Sequence, residues 1–104
     1  MMVYRDYQGR LIRLPDERLE YIRIKHPEVI GMGSAIPETL EAPEEVRKSA
    51  SDPRQVNLYY RRYTLVGDKQ TCVVVKVLDE DAFVITSYLT DRIKQGEVVW
   101  SINE

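Results

Sequence analysis

Cysteine is almost absent from this sequence of 104 residues, in which Cys72 is the single example. An intrachain disulfide is therefore excluded, and so is a zinc site built from several cysteine ligands. No apolar run approaches the roughly 20 residues that a membrane-spanning helix needs, and the first residues contain no apolar signal-peptide core. We expect a cytoplasmic protein with no membrane partner, made of one domain over residues 1–104.

Sequence motifs for several common catalytic centres are also missing. No acidic cluster or histidine motif indicates a metal site, so we expect neither a metal nor a cofactor. The glycine-rich loop at residues 31–33 lacks the lysine and the spacing of a phosphate-binding loop, and no serine lies in a nucleophile-elbow context. Cys72 lies in a strand candidate, where a small packed hydrophobic residue is a better interpretation than a nucleophile.

The charge distribution is uneven along the chain. The net charge of −2 is unlike that of a general nucleic-acid binder, which needs clustered lysine and arginine. Residues 1–45 carry six basic and nine acidic side chains, whereas residues 46–94 carry nine basic and six acidic ones. The second half is therefore locally basic, although an ordinary solvated surface shows such an asymmetry about half the time.

The residue pattern predicts helices followed by a sheet. Residues 3–7 and 10–14 indicate a hairpin, Pro15 opens a helix that Pro27 ends, and residues 37–42 form a second helix. The predicted strands are residues 46–49, 57–64, 71–78 and 82–88, with one helical turn at 90–96 and a final strand or packed tail at 98–100. We therefore expect an α+β fold, with an N-terminal hairpin and two helices packed on a four-stranded antiparallel meander sheet.

The turns of the meander predict which residues share a face. A two-residue turn at Gly67-Asp68 pairs Tyr59 with Lys76, and a three-residue turn at residues 79–81 pairs Val74 with Thr86. The core face would then hold Tyr60, Val73, Val75, Val77, Phe83 and Ile85. The other face would hold Tyr59, Arg61, Tyr63, Lys76, Thr86 and Tyr88. A register slip of one residue would exchange the two faces.

Basic and aromatic residues on these strands are candidates for binding. Lys76 interrupts a run of valines, and an unpaired buried ammonium is costly, so it must face water, a carboxylate or an anion. Tyrosines are interleaved with basic residues over residues 59–63, which fits single-stranded nucleic acid, because aromatic rings stack on bases and guanidinium groups hold phosphates. Tyrosine is also a common strand residue, and a plain solvated face explains Lys76 equally well.

His26 is the only histidine, and histidine is the side chain whose unperturbed pKa lies near neutrality. It shares a helical face with Leu19 and Ile22, near a helix end. One interpretation is a capping residue attracted to the helix C-terminal dipole, and the other is a general acid or base. In the second case it needs a partner such as Lys76 or Tyr88, and it has to reach around an edge of the sheet.

Several short segments resemble a known group of proteins. They are Ile24-Lys25-His26-Pro27-Glu28, Glu38-Thr39-Leu40, Asp52-Pro53, Leu58-Tyr59-Tyr60-Arg61, Val73-Val74-Val75-Lys76-Val77 and Phe83-Val84-Ile85-Thr86-Ser87-Tyr88. The group consists of small, mostly uncharacterised prokaryotic proteins that look like members of the barnase–EndoU–colicin–RelE nuclease superfamily. The resemblance covers roughly residues 10–100, and it implies helices before a four-stranded antiparallel sheet and cleavage of RNA without metal.

The resemblance also implies a set of site residues. The matching catalytic positions are His26, Arg61, Lys76 and Thr86, and Arg47, Tyr60 and Tyr88 are weaker matches. With Tyr59 and Tyr63 from the predicted sheet strand, the expected substrate-binding positions are Arg47, Tyr59, Tyr60, Tyr63 and Tyr88. The ribose 2′-hydroxyl would attack the adjacent phosphate while His26 or Lys76 moves a proton. Arg61 would stabilise the phosphorane, and Thr86 would bond a phosphate oxygen.

The resulting expectation is a metal-independent endoribonuclease of toxin type, with RNA as substrate and a small antitoxin protein as partner. Two alternatives stay open from the residues alone. The first is a non-catalytic module that binds nucleic acid or protein on the same sheet face, and the second is an inactive accessory protein.

Overall fold

The computed structural model of the chain describes residues 1–31, 34–63 and 68–103. The strands are β1 (Met2–Arg5), β2 (Leu11–Leu14), β3 (Glu45–Lys48), β4 (Val56–Arg62), β5 (Gln70–Val77), β6 (Ala82–Thr90) and β7 (Val98–Ser101). The helices are α1 (Asp16–Lys25), α2 (Pro27–Ile30) and α3 (Ala35–Glu41). The expected α+β class is confirmed.

The described strands form one mixed sheet of seven strands in the order β1-β2-β6-β5-β4-β3-β7. Neighbouring strands are antiparallel except β2 and β6, which are parallel and pair at Arg13 and Phe83. The prediction of a four-stranded antiparallel sheet was wrong, because the N-terminal hairpin and the last strand extend the meander at its two sides. The expected hairpin is present, and Gly9 turns it with a φ of 85°, which favours glycine.

Pro15 and Pro27 flank α1, as the sequence predicts, but Pro27 also opens a helix that was not expected. The prediction that Pro37 opens the next helix was wrong, since α3 begins at Ala35. Asp16 and Glu17 lie in the first turn of α1 and complement its dipole. The helix ends at Lys25 because the residue before Pro27 is disfavoured in helical geometry. Pro27 then opens α2, so three helices are present in the described ranges instead of the predicted two.

The main core lies between the helices and one face of the sheet. α1 and α2 pack against β6, and α3 packs against β5, β4 and β1. The buried residues of this core are Ile12, Leu14, Ile22, Val29, Ile36, Leu40, Val46, Tyr59, Val73, Val75, Ala82 and Val84. We call this side the covered face and the opposite side of the sheet the open face. Val73 and Val75 were correctly predicted to lie in the core.

The predicted pairing of β4 with β5 was wrong by three residues. Tyr59 lies opposite Val73, and Lys76 lies opposite Val56. The amide of Tyr63 donates to the Lys69 carbonyl at 2.9 Å, so the connection is longer than a two-residue turn; part of that predicted turn, Gly67, lies outside the described residues. An odd shift exchanges the faces of a strand, so Tyr59 lies on the covered face and Tyr60 on the open face.

Arg61 shares the face of Tyr59 for the same reason. It lies opposite the buried Thr71, and its Nη1 donates to the Ala42 carbonyl at 2.7 Å. The prediction that Tyr59 and Arg61 share one face with Lys76, Thr86 and Tyr88 was therefore wrong.

A β-bulge changes the register between β5 and β6. Val74 pairs with Thr86 as predicted, but Val75 pairs with Val84, so Ile85 is an extra residue on β6. The shift brings Phe83 opposite Lys76 and buries Val84 in the main core. Ile85 packs on the open face instead of in the predicted core.

The connection from β6 to β7 crosses the sheet, since β5, β4 and β3 lie between these two strands. We call its residues, 91–97, the strap. The prediction of a helical turn at residues 90–96 was wrong, whereas the final strand is present as β7. A Cβ added to Gly96 would lie 2.1 Å from the Lys48 carbonyl oxygen, so the strap passes β3 where only glycine fits.

The N-terminal hairpin is joined to the sheet by a buried carboxylate. Asp6 accepts hydrogen bonds from the amides of Gln8 and Arg10 at 2.9 Å and from the Tyr59 hydroxyl at 2.7 Å. Burial raises the pKa of Tyr59, and the hydrogen bond to Asp6 raises it further. Tyr59 is therefore a protonated donor that compensates the burial of this carboxylate.

No helix among the described residues is long and apolar enough to cross a membrane.

Replacing Gly96 with alanine is expected to destabilise the protein by about 2 kcal/mol or more, because the added methyl group overlaps a backbone oxygen. Gly31→Ala is the matched control. There the nearest atom to an added Cβ is 3.7 Å away, so stability should be unchanged or slightly higher. Urea denaturation of both variants measures the difference, and equal midpoints would contradict the close packing of the strap.

Tyr59→Phe is expected to lower the free energy of unfolding by about 1–3 kcal/mol, because the buried Asp6 carboxylate loses a hydrogen-bond donor. Tyr21→Phe removes a hydroxyl from an exposed tyrosine and should change stability by less than about 0.5 kcal/mol. Thermal and denaturant unfolding of both proteins test this, and an equal loss in the two variants would count against the Asp6 contact.

Candidate functional site

The open face contains a groove of about 600 Å³. Its lining residues are Ser49, Ala50, Ser51, Val56, Leu58, Val74, Ile85, Thr86, Tyr88, Lys94 and Gln95. The aliphatic members come from β4, β5 and β6 and belong to a second hydrophobic cluster. Polar residues of the 49–51 loop and of the strap line the same space. The volume falls in the range of sites that hold a small ligand or part of a larger one.

Two hydroxyl groups of β6 lie at this groove. Thr86 and Tyr88 lie opposite Val74 and Cys72, so both are directed to the open face. Within the described ranges, the Thr86 Oγ1 and the Tyr88 hydroxyl are buried without a hydrogen-bond partner. Because a buried polar atom without a partner costs about 1–3 kcal/mol, these atoms are suited to bonding a ligand.

Tyr88 is a donor and not a base. Burial raises the pKa of Tyr88, and the neighbouring Cys72 thiol raises it further. The phenol therefore stays protonated near neutral pH. It can donate a hydrogen bond or a proton to an atom in the groove.

His26 lies beside Tyr88, with 5.7 Å between the ring centroids. It caps the C-terminal end of α1, where its amide donates to the Ile22 carbonyl at 2.7 Å, and its Nδ1 lies 3.7 Å from Glu28 Oε2. Both interpretations of His26 thus fit its position, since it is a helix cap and it reaches the open-face residues.

The edge of β6 explains how His26 reaches Tyr88. β2 pairs with β6 only near Phe83, so the remainder of that edge is available to α1. Arg18 of α1 donates from Nε to the Ile85 carbonyl at 2.7 Å, which fixes the helix against the bulge. The end of α1 therefore extends past the sheet edge toward the open face.

Lys94 was missed by the sequence analysis. It lies on the strap, lines the groove, and places its Nζ 5.5 Å from the centre of the Tyr88 ring. Its amide donates to the Tyr60 hydroxyl at 3.1 Å. No sequence signal identified it, because a helical turn was expected where the strap crosses the sheet. Ser49, Ser51 and Gln95 were missed for the similar reason that they lie on connections.

The structure brings together some of the predicted catalytic residues and separates others. Thr86 lines the groove, and His26 lies against Tyr88, which also lines the groove. Lys76 is on the open face beyond the groove lining, and no carboxylate among the described residues lies within 4.0 Å of its ammonium group. Arg61 is on the covered face, bonded to the Ala42 carbonyl.

The predicted substrate-binding residues are also divided. Tyr59 is buried in the main core, and Tyr60 is buried on the open face beneath the strap. Arg47 pairs with Glu45 and donates from Nη1 to the Lys94 carbonyl at 3.3 Å, so it supports the strap. Tyr63 follows β4 and is half-buried. Of this set, Tyr88 alone lines the groove.

No group of three or more histidine, cysteine, aspartate or glutamate side chains that could hold a metal ion occurs in the described part of the chain.

Cys72 lies beneath the groove between two tyrosines. It is buried, opposite Tyr60 on β4 and Tyr88 on β6. Burial raises the pKa of the Cys72 thiol to about 11, although the two tyrosine hydroxyls and Lys94 counteract part of this effect. The structure thus places Cys72 as a packed, protonated side chain.

Cys72 is expected to resist alkylation by iodoacetamide at pH 8, because a rise in pKa to about 11 leaves roughly 100-fold less thiolate than in an unfolded chain. Ala50→Cys adds a thiol at an exposed position and provides the control. Mass spectrometry should show one modified cysteine in the native variant and two in urea. Rapid labelling of native wild-type protein would contradict the burial of Cys72.

Comparison of the chain with protein-family models, with curated proteins and with solved structures finds no match. The resemblance to the nuclease superfamily therefore stays a prediction.

Proposed function

We propose that the protein is a metal-independent endoribonuclease that binds RNA in the open-face groove. The observation that carries this proposal is the position of His26 against Tyr88, which lines the same groove as Thr86, whose hydroxyl has no partner among the described residues. These residues supply a proton acceptor, a proton donor and a phosphate ligand, which are the groups that cleavage by the ribose 2′-hydroxyl requires.

In this mechanism the 2′-oxygen forms a bond to the adjacent phosphorus while the bond to the 5′-oxygen breaks. His26 accepts the proton of the 2′-hydroxyl. Tyr88, which its raised pKa keeps protonated, donates a proton to the departing 5′-oxygen. This transfer is favourable because an alkoxide is a stronger base than a phenolate. The products carry a 2′,3′-cyclic phosphate and a 5′-hydroxyl.

Thr86 and Lys76 have supporting roles in the proposal. The Thr86 hydroxyl, buried and without a partner among the described residues, donates to a phosphate oxygen. Lys76 attracts the RNA backbone from its place on the open face. Arg61 has no part in this version, since its guanidinium group is bonded to Ala42 on the covered face.

The aliphatic residues of the groove favour a second candidate, a non-catalytic module that binds a protein segment or nucleic acid. Val56, Leu58, Val74 and Ile85 offer no aromatic surface for base stacking, which single-strand binders commonly use. They suit an apolar side chain of a protein partner instead. If the protein is a toxin-type nuclease, a small antitoxin protein is a partner that could place such a side chain in the groove.

His26→Ala is expected to reduce the rate of RNA cleavage by about 10²- to 10⁴-fold, because the general base is lost. Cleavage of a fluorescently labelled RNA in EDTA is measured, and the 2′,3′-cyclic phosphate is identified by mass spectrometry. A 2′-O-methyl RNA of the same sequence should bind equally well to both proteins and stay intact. Tyr88→Phe should also slow cleavage, with Tyr21→Phe as the matched control for loss of an exposed phenol.

Absence of cleavage at every protein concentration, with and without ribosomes, would overturn the nuclease proposal. Binding of RNA or protein that His26→Ala leaves unchanged, together with no cleavage, would instead support the non-catalytic module.

A further inference from the structure

The strap holds Lys94 in place through main-chain contacts. Its amide donates to the Tyr60 hydroxyl at 3.1 Å, and its carbonyl accepts from Arg47 Nη1 at 3.3 Å. Two residues later, Gly96 lies against the Lys48 carbonyl, and the Lys48 amide donates to the Glu97 carbonyl at 2.9 Å. These contacts fix the strap backbone without using the Lys94 side chain.

The ammonium group of Lys94 is left for another partner. No acidic side chain of the described chain lies within 4.0 Å of it. Nearby cations differ in this respect: Lys48 Nζ lies 3.1 Å from Glu97 Oε2, and Arg47 is paired with Glu45. Lys94 Nζ instead lies over the Tyr88 ring, at the groove.

The composition of the groove indicates the charge of its ligand. Among the described residues that line it, none is an aspartate or glutamate, and Lys94 is the one charged residue. The buried hydroxyls of Thr86 and Tyr88 are without partners in the described ranges. A ligand that satisfies an ammonium group and two hydroxyl donors together is an anion with several acceptor oxygens, and a phosphate meets this description.

We propose that Lys94 binds the phosphate at which the RNA is cleaved and stabilises the negative charge that develops there. This inference rests on the proposed nuclease function and assigns to Lys94 the role that the family resemblance implied for Arg61. A cation stabilises the transition state at a reacting phosphate most when it is held in place before the reaction. The main-chain contacts of the strap hold Lys94 in this way.

Lys94→Met tests the proposal, because methionine keeps the length of the side chain but not its charge. Fluorescence anisotropy measures binding of a 2′-O-methyl RNA oligonucleotide of about ten nucleotides at several salt concentrations. Affinity should fall about tenfold, and the slope of log affinity against log salt should decrease by about 0.7, the value for one phosphate contact on a single strand. On cleavable RNA, kcat should fall by about 100-fold.

Two further variants control for charge and folding. Lys94→Arg should restore most of the binding and cleavage. Lys69→Met removes the same charge from a lysine whose ammonium group lies 3.9 Å from Asp91, outside the groove, and it should behave like the wild type. The thermal unfolding midpoint of Lys94→Met should match that of the wild type, because its strap contacts are made by the main chain.

The outcomes separate this inference from the nuclease proposal. Equal cleavage and binding by Lys94→Met and the wild type would overturn the role of Lys94 and leave the nuclease standing. Salt-dependent binding that is lost in Lys94→Met, without any cleavage, would overturn the nuclease and keep Lys94 as a phosphate ligand. Binding of a phosphoserine peptide but not of RNA would overturn the assignment to RNA, and wild-type protein that binds neither would overturn both proposals.

Discussion

The bulge at Ile85 is the constraint on which both the sheet and the candidate site depend. Because β6 has one extra residue there, Val84 turns into the main core while Thr86 keeps its place on the open face. The bulge also directs the Ile85 carbonyl toward α1, where Arg18 donates to it. One irregularity therefore sets which β6 side chains face the groove and holds the helix that ends at His26.

Two consecutive tyrosines fix the two segments that lie outside the central meander. Adjacent residues of a strand point to opposite faces, so Tyr59 reaches Asp6 of the N-terminal hairpin and Tyr60 reaches Lys94 of the strap. The Tyr59 hydroxyl donates to the buried Asp6 carboxylate, and the Tyr60 hydroxyl accepts from the Lys94 amide. Tyrosines that looked like stacking platforms in the sequence are instead structural, and their contacts bring the hairpin and the strap onto the sheet.

Much of the fold could be predicted because local rules determine it. Pro15 and Pro27 set the first helix, Gly9 turns the hairpin, and the valines of β5 identify a buried strand. The residues on each face of the sheet could not be predicted, because the strand register depends on the length of the β4–β5 connection and on the bulge in β6. The amino-acid composition does not indicate either of them. An error of three residues between β4 and β5 moved Arg61 to the wrong face while leaving the strand assignments intact.

The acidic total charge does not conflict with a phosphate ligand, since charge acts locally in salt solution. At physiological ionic strength, exposed charges further apart than about 8 Å are largely screened from each other. Among the described residues, the groove is lined by one lysine and no carboxylate, while some acidic groups elsewhere are paired, such as Glu97 with Lys48 and Asp81 with Arg13. A chain of net charge −2 can thus present a locally cationic site. The same screening implies that any affinity for RNA comes from few contacts at the groove and not from the surface as a whole.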